Sequence, residues 1–550
     1  MANPPFAVPF PNFQADTEAD ASQVNANNAA ITAALNSAAF QGYSTTINPQ
    51  LSADDPTGAA NVQALQAAIT QGINTPGGAL IQLPAGAFLF NNSLTISGST
   101  GGLIIQGSST GTKLYQTGAV DFFVVSNNGE SNGSAGIRFR DIWFEYSGTP
   151  TTGNCINANN GGGDTTADSC YFNNCPTAFN AGSDGRALHC GLMYCTVVQA
   201  KVNNTVSVIL SAAQNFVFQC IIRQQPIAGG GPTGCTAIQI NNAPIAYVSE
   251  CHVSDYTVGI QVTQGCNFIY LHHNTVQSYQ TGILIQPTTN VGVIYGVWIS
   301  DSTVLATHTV QGAGSNGIIV DTNGGTATNV QGIFLNNVLA MGWNDAGLKI
   351  IAASNVVVTG GMFASNGQSP SATANGAGIA VVGAADSIRV TGSDLIGTIG
   401  FITGVQQPYA AALSGGCTNV EFYVCNMTGN ANSLPVYTNG TITHWYVNDC
   451  RGYNTFNFVI ASSAPATTVQ FDGTGFGSPL TPWSTPYLGP YLVCWTGATV
   501  SNVKISHDRS SLSATPIGAL PTGAIHLRQA QSMELDYTGG PFTTFEILGQ

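Results

Sequence analysis

The stretch IYLHHNTV, residues 269–276, holds two adjacent histidines whose reading depends on what else in the chain resembles it. Beside it stand AYVSECHV (246–253), VWISDSTV (297–304), NFVFQCII (215–222), VVVTGGMF (356–363), IRVTGSDL (388–395), VEFYVCNM (420–427) and WYVNDCRG (445–452). Each runs apolar, any, apolar, two residues, a small or thiol residue, any, then usually apolar. The small position falls on Cys170, Cys195, Cys220, Cys251, Asn274, Ser302, Gly361, Ser393, Cys425 and Cys450, with Val338 filling one further unit, at spacings of 23 to 36 residues. A second short segment follows most units: TAIQI, VGIQV, TGILI, NGIIV, AGLKI and AGIAV. Alternation with period two, broken by Gly and Asn turns, predicts strands. Short strands recurring in this way predict a parallel β-solenoid whose rungs lie about 4.8 Å apart. On this reading His272 and His273 are outward turn residues of one rung, not a metal motif, because adjacent turn side chains diverge.

Composition agrees with one long repetitive domain carrying appendages. The chain has 550 residues, 43% hydrophobic, only 7% charged, with 65 glycines and a net charge of −14. No basic run could neutralise several phosphates, so nucleic acid is not an expected partner. No run of 18 apolar residues occurs, so no membrane insertion is expected. The start MANPPFAVPFPNF lacks the basic and apolar regions of a signal peptide. Metal-ligand spacings are missing among the 13 cysteines, so no metal and no cofactor are expected. Six of those cysteines lie in one inward column as small core residues, expected to be reduced.

Upstream, SADDPTGAANVQALQAAITQG places Val62, Leu65, Ile69 and Ile73 at helical spacing before GGALIQLPAGAFLFNNSLTI. Such a helix would cover the open first rung. The order of acidic turn, helix, LPAG and rungs resembles the pectate-lyase-like superfamily of right-handed β-helices, over roughly residues 52–452. Many members act on polysaccharides. The signatures GHG and RIK are absent, and WNDAG (343–347) stands without companions, so no catalytic residue is carried over.

Both ends extend the resemblance. FPNFQADTEADASQVNANNAAITAALNSA has a helix cap at Asp16 or Thr17 and a stripe through Val24, Ile31 and Ala38. It is similar to the attachment segments of bacteriophage tailspike and tail fibre proteins. After residue 452, GYNTFNF, YLVCWTGATVSNVKIS and GAIHLRQAQSMELDYTGGPFTTFEIL alternate between Pro and Gly turns and suggest an antiparallel β-sandwich. The expected architecture is therefore all-β. Residues 1–50 form a virion-attachment and oligomerisation segment, 51–120 a helix cap with the first strands, 121–452 a right-handed parallel β-helix of about eleven to thirteen rungs, and 453–550 the sandwich. The resemblance implies a homotrimer in a virion tail, docked on tail or baseplate proteins through the N-terminal segment and binding a host surface glycan. The alternative is a secreted bacterial polysaccharide hydrolase or lyase, or an extracellular structural β-helix.

Two outward columns follow from the repeat. One holds Phe216, Tyr247, Tyr270, Trp298 and Phe334; the other Gln219, Glu250, His273, Asp301 and Asn337. Outward aromatics in a row call for a cover. Sugar rings stacked on Tyr247, Tyr270, Trp298 and Phe334, with Asn337 fixing hydroxyls, would provide one; a subunit interface or a folded loop would provide another. Glu250 and Asp301, two rungs apart with His273 between them, are the candidate catalytic pair. Their backbones lie about 9.6 Å apart, and side chains can close this to the roughly 6.5–9.5 Å of an inverting glycosidase. If the chain cleaves glycan, it is expected to be a glycoside hydrolase rather than a lyase. His189 near Arg186 and Asp184 reads as decoration of a turn, and Asp164 with Asp168 offers too few ligands to define a Ca²⁺ site.

Overall fold

A computed structural model describes residues 45–451 apart from 99–101, 109–110, 127–135, 149, 161–162, 183–187, 200–201, 226–232, 307–313, 368–375, 398–405, 432–435, 440–441 and 449; beyond 451 it describes strand backbones only. The expected attachment helix therefore lies outside the described residues. One sheet begins at the strand Thr45–Ile47, which pairs in parallel with Ala79–Gln82, and then adds a parallel strand per rung, at Leu103–Gln106, Ile137–Arg140, Thr165–Asp168, Gly191–Met193, Asn215–Phe218, Ala246–Ser249, Cys266–His272, Ile294–Ser300, Val330–Asn336, Ser354–Thr359, Asp386–Thr391, Thr418–Tyr423 and Thr443–Asn448. From Ala79–Gln82 to Thr443–Asn448 the strands mark fourteen rungs, more than the sequence pattern suggests. The second sheet collects the other strands of each rung. His252–Val262 and Thr275–Ile285, 11 residues each, run through both of its halves, with register shifts between Ser254 and Val258 and a left-handed residue at Asp255. The molecule is a parallel β-helix.

The core is built from columns. Val217, Val248, Leu271, Ile299, Leu335, Val358, Val390 and Phe422 follow one another in register and are buried. The helix Ala59–Ile73 packs across the first rungs; Leu65 and Ile69 are buried, and Val62 and Ile73 pack against the core from its flanks. Asp55 secures its start by accepting hydrogen bonds from the backbone N–H groups of Thr57, Gly58 and Asn61. Among the described residues, no helix is long and apolar enough to cross a membrane.

The chain passes from the first sheet to the second through a single left-handed residue. Asp141, Ser169, Tyr194, Gln219, Glu250, His273, Asp301, Asn337, Gly360, Gly392 and Val424 occupy this corner with φ between 48 and 65°. One left-handed residue between two extended segments bends the chain sharply, and Asn, Asp, His and Gly adopt that conformation most readily. The residue after the corner points inward. Cys170, Cys195, Cys220, Cys251, Asn274, Ser302, Val338, Ser393 and Cys425 are all buried there, while Cys450 is half-buried. Its thiol or hydroxyl donates to the carbonyl two residues earlier: Cys195 Sγ to Met193 O at 3.1 Å, Cys220 Sγ to Phe218 O at 3.3 Å, Ser302 Oγ to Ser300 O at 2.9 Å. Twelve cysteines carry free thiols among the described residues. Burial pushes the Cys170, Cys195 and Cys220 thiols well above their usual range, which keeps them protonated.

Beyond the solenoid, Thr467–Asp472 adds in parallel to the first sheet and pairs antiparallel with Ser532–Thr538 on its other side. The long strand Tyr491–Ser506 pairs antiparallel with Leu520–Leu527, Ser532–Thr538 and Thr544–Gly549. The antiparallel C-terminal strands thus grow directly out of the solenoid's first sheet.

Candidate functional site

The register of the first sheet puts Phe216, Tyr247, Tyr270, Trp298 and Phe334 side by side on its outer surface. The rings of Tyr247, Tyr270, Trp298 and Phe334 stack nearly parallel. Centroids are 5.2 Å apart for Tyr247–Tyr270, 5.0 Å for Tyr270–Trp298 and 5.4 Å for Trp298–Phe334, with interplanar angles of 9, 14 and 13°. Optimal carbon contact is roughly 3.5–4.0 Å, so these separations mean that the rings are slipped sideways. Offset stacking of this kind is the preferred aromatic geometry. Each ring covers part of its neighbour and leaves a strip of its own face outward. All four rings are half-buried by the pile itself. Burial, with Tyr270 alongside, pushes the Tyr247 hydroxyl up to about 12, so it remains a neutral donor.

A second aromatic lies beside the pile that the repeat pattern did not single out. Phe268 stacks parallel to Trp298, with centroids 6.0 Å apart and an interplanar angle of 9°. It is 54% exposed, and its φ is 54°, in the left-handed region. Neighbouring rungs place Gly296, Gly332, Asn355, Ser387 and Asn419 at this bend, each also at positive φ. The glycine at 296 makes room for the indole, since a Cβ there would come within 2.8 Å of Trp298. A phenylalanine at the same bend bears a strain of roughly 1–2 kcal/mol while leaving its ring in water. Strain of this sort concentrates at functional positions. The sequence signal is an aromatic in NFIYLHH aligned with glycine in YGVWISD and QGIFLNN.

The polar corner runs along one edge of the pile. Gln219 donates from Nε2 to Glu250 Oε2; His273 Nε2 lies 3.8 Å from Asp301 Oδ2; Asn337 Nδ2 donates to Asp301 Oδ1 at 2.9 Å. Consecutive corners are joined through the backbone, Glu250 N to His272 O and His273 N to Ser300 O, both at 3.0 Å. Glu250, His273, Asp301 and Asn337 therefore share one exposed ridge next to Tyr247, Tyr270, Trp298 and Phe334. The left-handed geometry by itself favours Asp, Asn and His in this column, so their clustering does not require a catalytic explanation. A general acid works best where its carboxyl is desolvated, and this ridge is open to water.

His272 corrects the expectation that both histidines are solvent-facing turn residues. Only His273 is at the corner; His272 ends the strand Cys266–His272 and is 7% exposed. Its ring stacks on Tyr270, centroids 5.8 Å apart, and Nδ1 lies 2.5 Å from Ser300 Oγ. Nε2 is buried with no hydrogen-bond partner. Burial first, then the adjacent His273, draws the His272 pKa down to about 4, against the pull of Asp301. The ring is neutral near pH 7.

The weaker candidates resolve into structural roles. Asp168 is held by Arg138, with Arg140 Nε 3.8 Å away, so its carboxylate is neutralised by the preceding rung and does not pair with Asp164 as a Ca²⁺ ligand. Asp164 instead meets His189, Oδ1 to Nδ1 at 2.9 Å, and this contact raises the histidine's pKa. Asp184 and Arg186 lie outside the described residues. Asp345 of WNDAG is fully buried and 3.1 Å from Lys349 Nζ.

No protein-family model matches this chain, and no curated protein does. Among solved structures it is similar to the catalytic unit of a thermostable alpha-1,3-glucanase from Streptomyces thermodiastaticus, at 12% identity over 75% of this chain and 70% of that one, TM-score 0.47. It is also similar to DFA-IIIase from Arthrobacter chlorophenolicus, at 12% identity over 68% and 94%, TM-score 0.46. A third is tailspike protein 3 of bacteriophage CBA120, at 12% identity over 73% and 61%, TM-score 0.40. At these scores no residue role passes from any of them to this chain.

Proposed function

We propose that this chain is a phage tail protein, a tailspike or tail fibre, whose aromatic face binds a polysaccharide on the host cell surface. The observation that carries the reading is Phe268, a strained and exposed aromatic beside a slipped pile of Tyr247, Tyr270, Trp298 and Phe334. Sugar rings carry apolar C–H faces and a rim of hydroxyls. The outward ring strips suit the first, and the amide and carboxylate groups of Gln219, Glu250, Asp301 and Asn337 suit the second. The Asn-rich N-terminal stretch supports attachment to a tail or baseplate, and a homotrimer is the assembly in which such a solenoid would be displayed. Binding needs only these contacts; cleavage would additionally fall to Glu250 and Asp301.

Incubation of the full chain with capsule and lipopolysaccharide from candidate hosts, followed by affinity measurement and sizing of the products, tests the reading. Saturable binding that Trp298→Ala weakens is the expected result. Shortened products that disappear with Glu250→Gln or Asp301→Asn would make the ridge a hydrolytic site. Recovery of the chain from culture medium in uninfected cells, and never in virions, would replace the phage role with that of a secreted polysaccharide enzyme.

A further inference from the structure

The charges around the aromatic face narrow the class of glycan it can take. We infer that the face selects polysaccharides free of uronate, sulfate and phosphate groups and rejects anionic ones; this rests on the glycan-binding reading above. Three outward columns define the surface in register. They are Phe216 to Phe334, then Phe218, Ser249, His272, Ser300 and Asn336, then the corner from Gln219 to Asn337. None of these residues is Lys or Arg. Two are carboxylates, Glu250 and Asp301, both exposed on the ridge a bound chain must touch.

The chain's arginines on this sheet do not offset them. Arg138 and Arg140 lie in a strand three rungs before Asn215–Phe218 and are engaged with Asp168 and Asp141. Arg389 is two rungs beyond Phe334 and pairs with Glu421 at 2.9 Å. An anionic glycan along the pile would meet like charge at two rungs, in a protein whose formal net charge is already −14. Among the described residues the Glu250 carboxylate is held only by the neutral Gln219 amide, and Asp301 has His273 Nε2 3.8 Å away. His272, the basic side chain nearest the rings, is buried and neutral near pH 7. A neutral sugar meets only hydrogen-bonding groups, and an amino sugar facing Glu250 or Asp301 would gain an opposite charge. Hydroxyl-donating glycans fit for the same reason: the free carboxylate oxygens are acceptors only. Elimination chemistry on uronates is excluded at this face together with its substrates.

The test is a microarray of bacterial surface polysaccharides containing neutral, amine-bearing and uronate-bearing members, probed with the full chain at low and high salt. Wild type is expected to bind among the neutral and amine-bearing glycans alone. The double variant Glu250→Gln/Asp301→Asn is expected to gain about tenfold affinity for uronate-bearing glycans at low salt. That gain should vanish at high salt, where the Debye length shortens from about 10 Å to about 3 Å. A gain of binding cannot come from misfolding. Wild-type binding to uronate-bearing glycans overturns the inference and leaves the glycan reading intact. No gain by the double variant overturns the assignment of the exclusion to these two carboxylates. Binding to no glycan at any salt concentration overturns the underlying reading itself.

Discussion

Replacing His272 with asparagine should make the protein more resistant to acid, by an amount that the structure sets. The buried imidazole titrates at about 4, against 6.5 in an unfolded chain. Between these values the unfolded chain binds a proton at position 272 and the native protein does not. Stability therefore rises with pH through this window: it is fully present above about pH 6.5 and is lost as pH falls towards about 4. Each pH unit is worth about 1.4 kcal/mol, so the loss is on the order of 3 kcal/mol. The asparagine side chain would have no proton to gain and could still hydrogen-bond to Ser300. Urea unfolding of wild type and His272→Asn at intervals from about pH 7 to about pH 4 isolates the contribution, because every other titrating group is common to both proteins. The stability difference should shift in the variant's favour by about 3 kcal/mol across that range. Ring-proton NMR of wild type should place the titration near 4. Parallel stability profiles, or a His272 ring that titrates at 6.5 or above, would refute the reasoning.

Phe268→Asn puts at the bend a residue that neighbouring rungs already use there; it should hold or raise stability by up to about 1 kcal/mol while weakening glycan binding. A clear fall in melting temperature would show that the ring is structural packing. Asn274→Ala strands one buried donor, the Cys251 N–H that bonds Oδ1 at 3.1 Å, and removes the additional bond that the Val248 carbonyl, a member of the parallel ladder, accepts from Nδ2 at 2.9 Å. At about 1–3 kcal/mol per stranded group, urea unfolding should show a loss of at least about 1 kcal/mol, and a smaller one would mean that water or a backbone shift replaces the amide. Trp298→Ala opens the middle of the pile and should weaken glycan binding by roughly 1–3 kcal/mol. If sedimentation instead shows the oligomer dissociating while glycan affinity of the remaining assembly is unchanged, the pile is a subunit interface.

Much of this fold is legible in the repeat alone. Every rung uses the same local geometry, so aligning IYLHHNTV with its relatives also aligns the columns, and the aromatic series and the corner series both follow. The thiol column is equally visible, because a small donor after each corner meets the same carbonyl in rung after rung. The cap helix shows through the spacing of Val62, Leu65, Ile69 and Ile73. The earliest rungs are harder to read because Ile142, not a small residue, follows the corner at Asp141, so the marker that reveals the later rungs is missing. Other features depend on backbone torsions and on contacts between rungs, which no periodic pattern encodes. The left-handed corner explains why Asp, Asn and His gather beside the rings, and the same torsion turns Phe268 from an ordinary aromatic into a strained one. Alternation puts His272 and Tyr270 on the same outer face, but only packing against Tyr270 and Ser300 buries the imidazole. Asp168 looks available in sequence and is taken by Arg138 and Arg140, because the preceding rung lies about 4.8 Å away in space and some 30 residues away in the chain. Columns come from the period of the sequence; which side chains in them meet, slip or lose water comes from the twist and torsions of the assembled rungs.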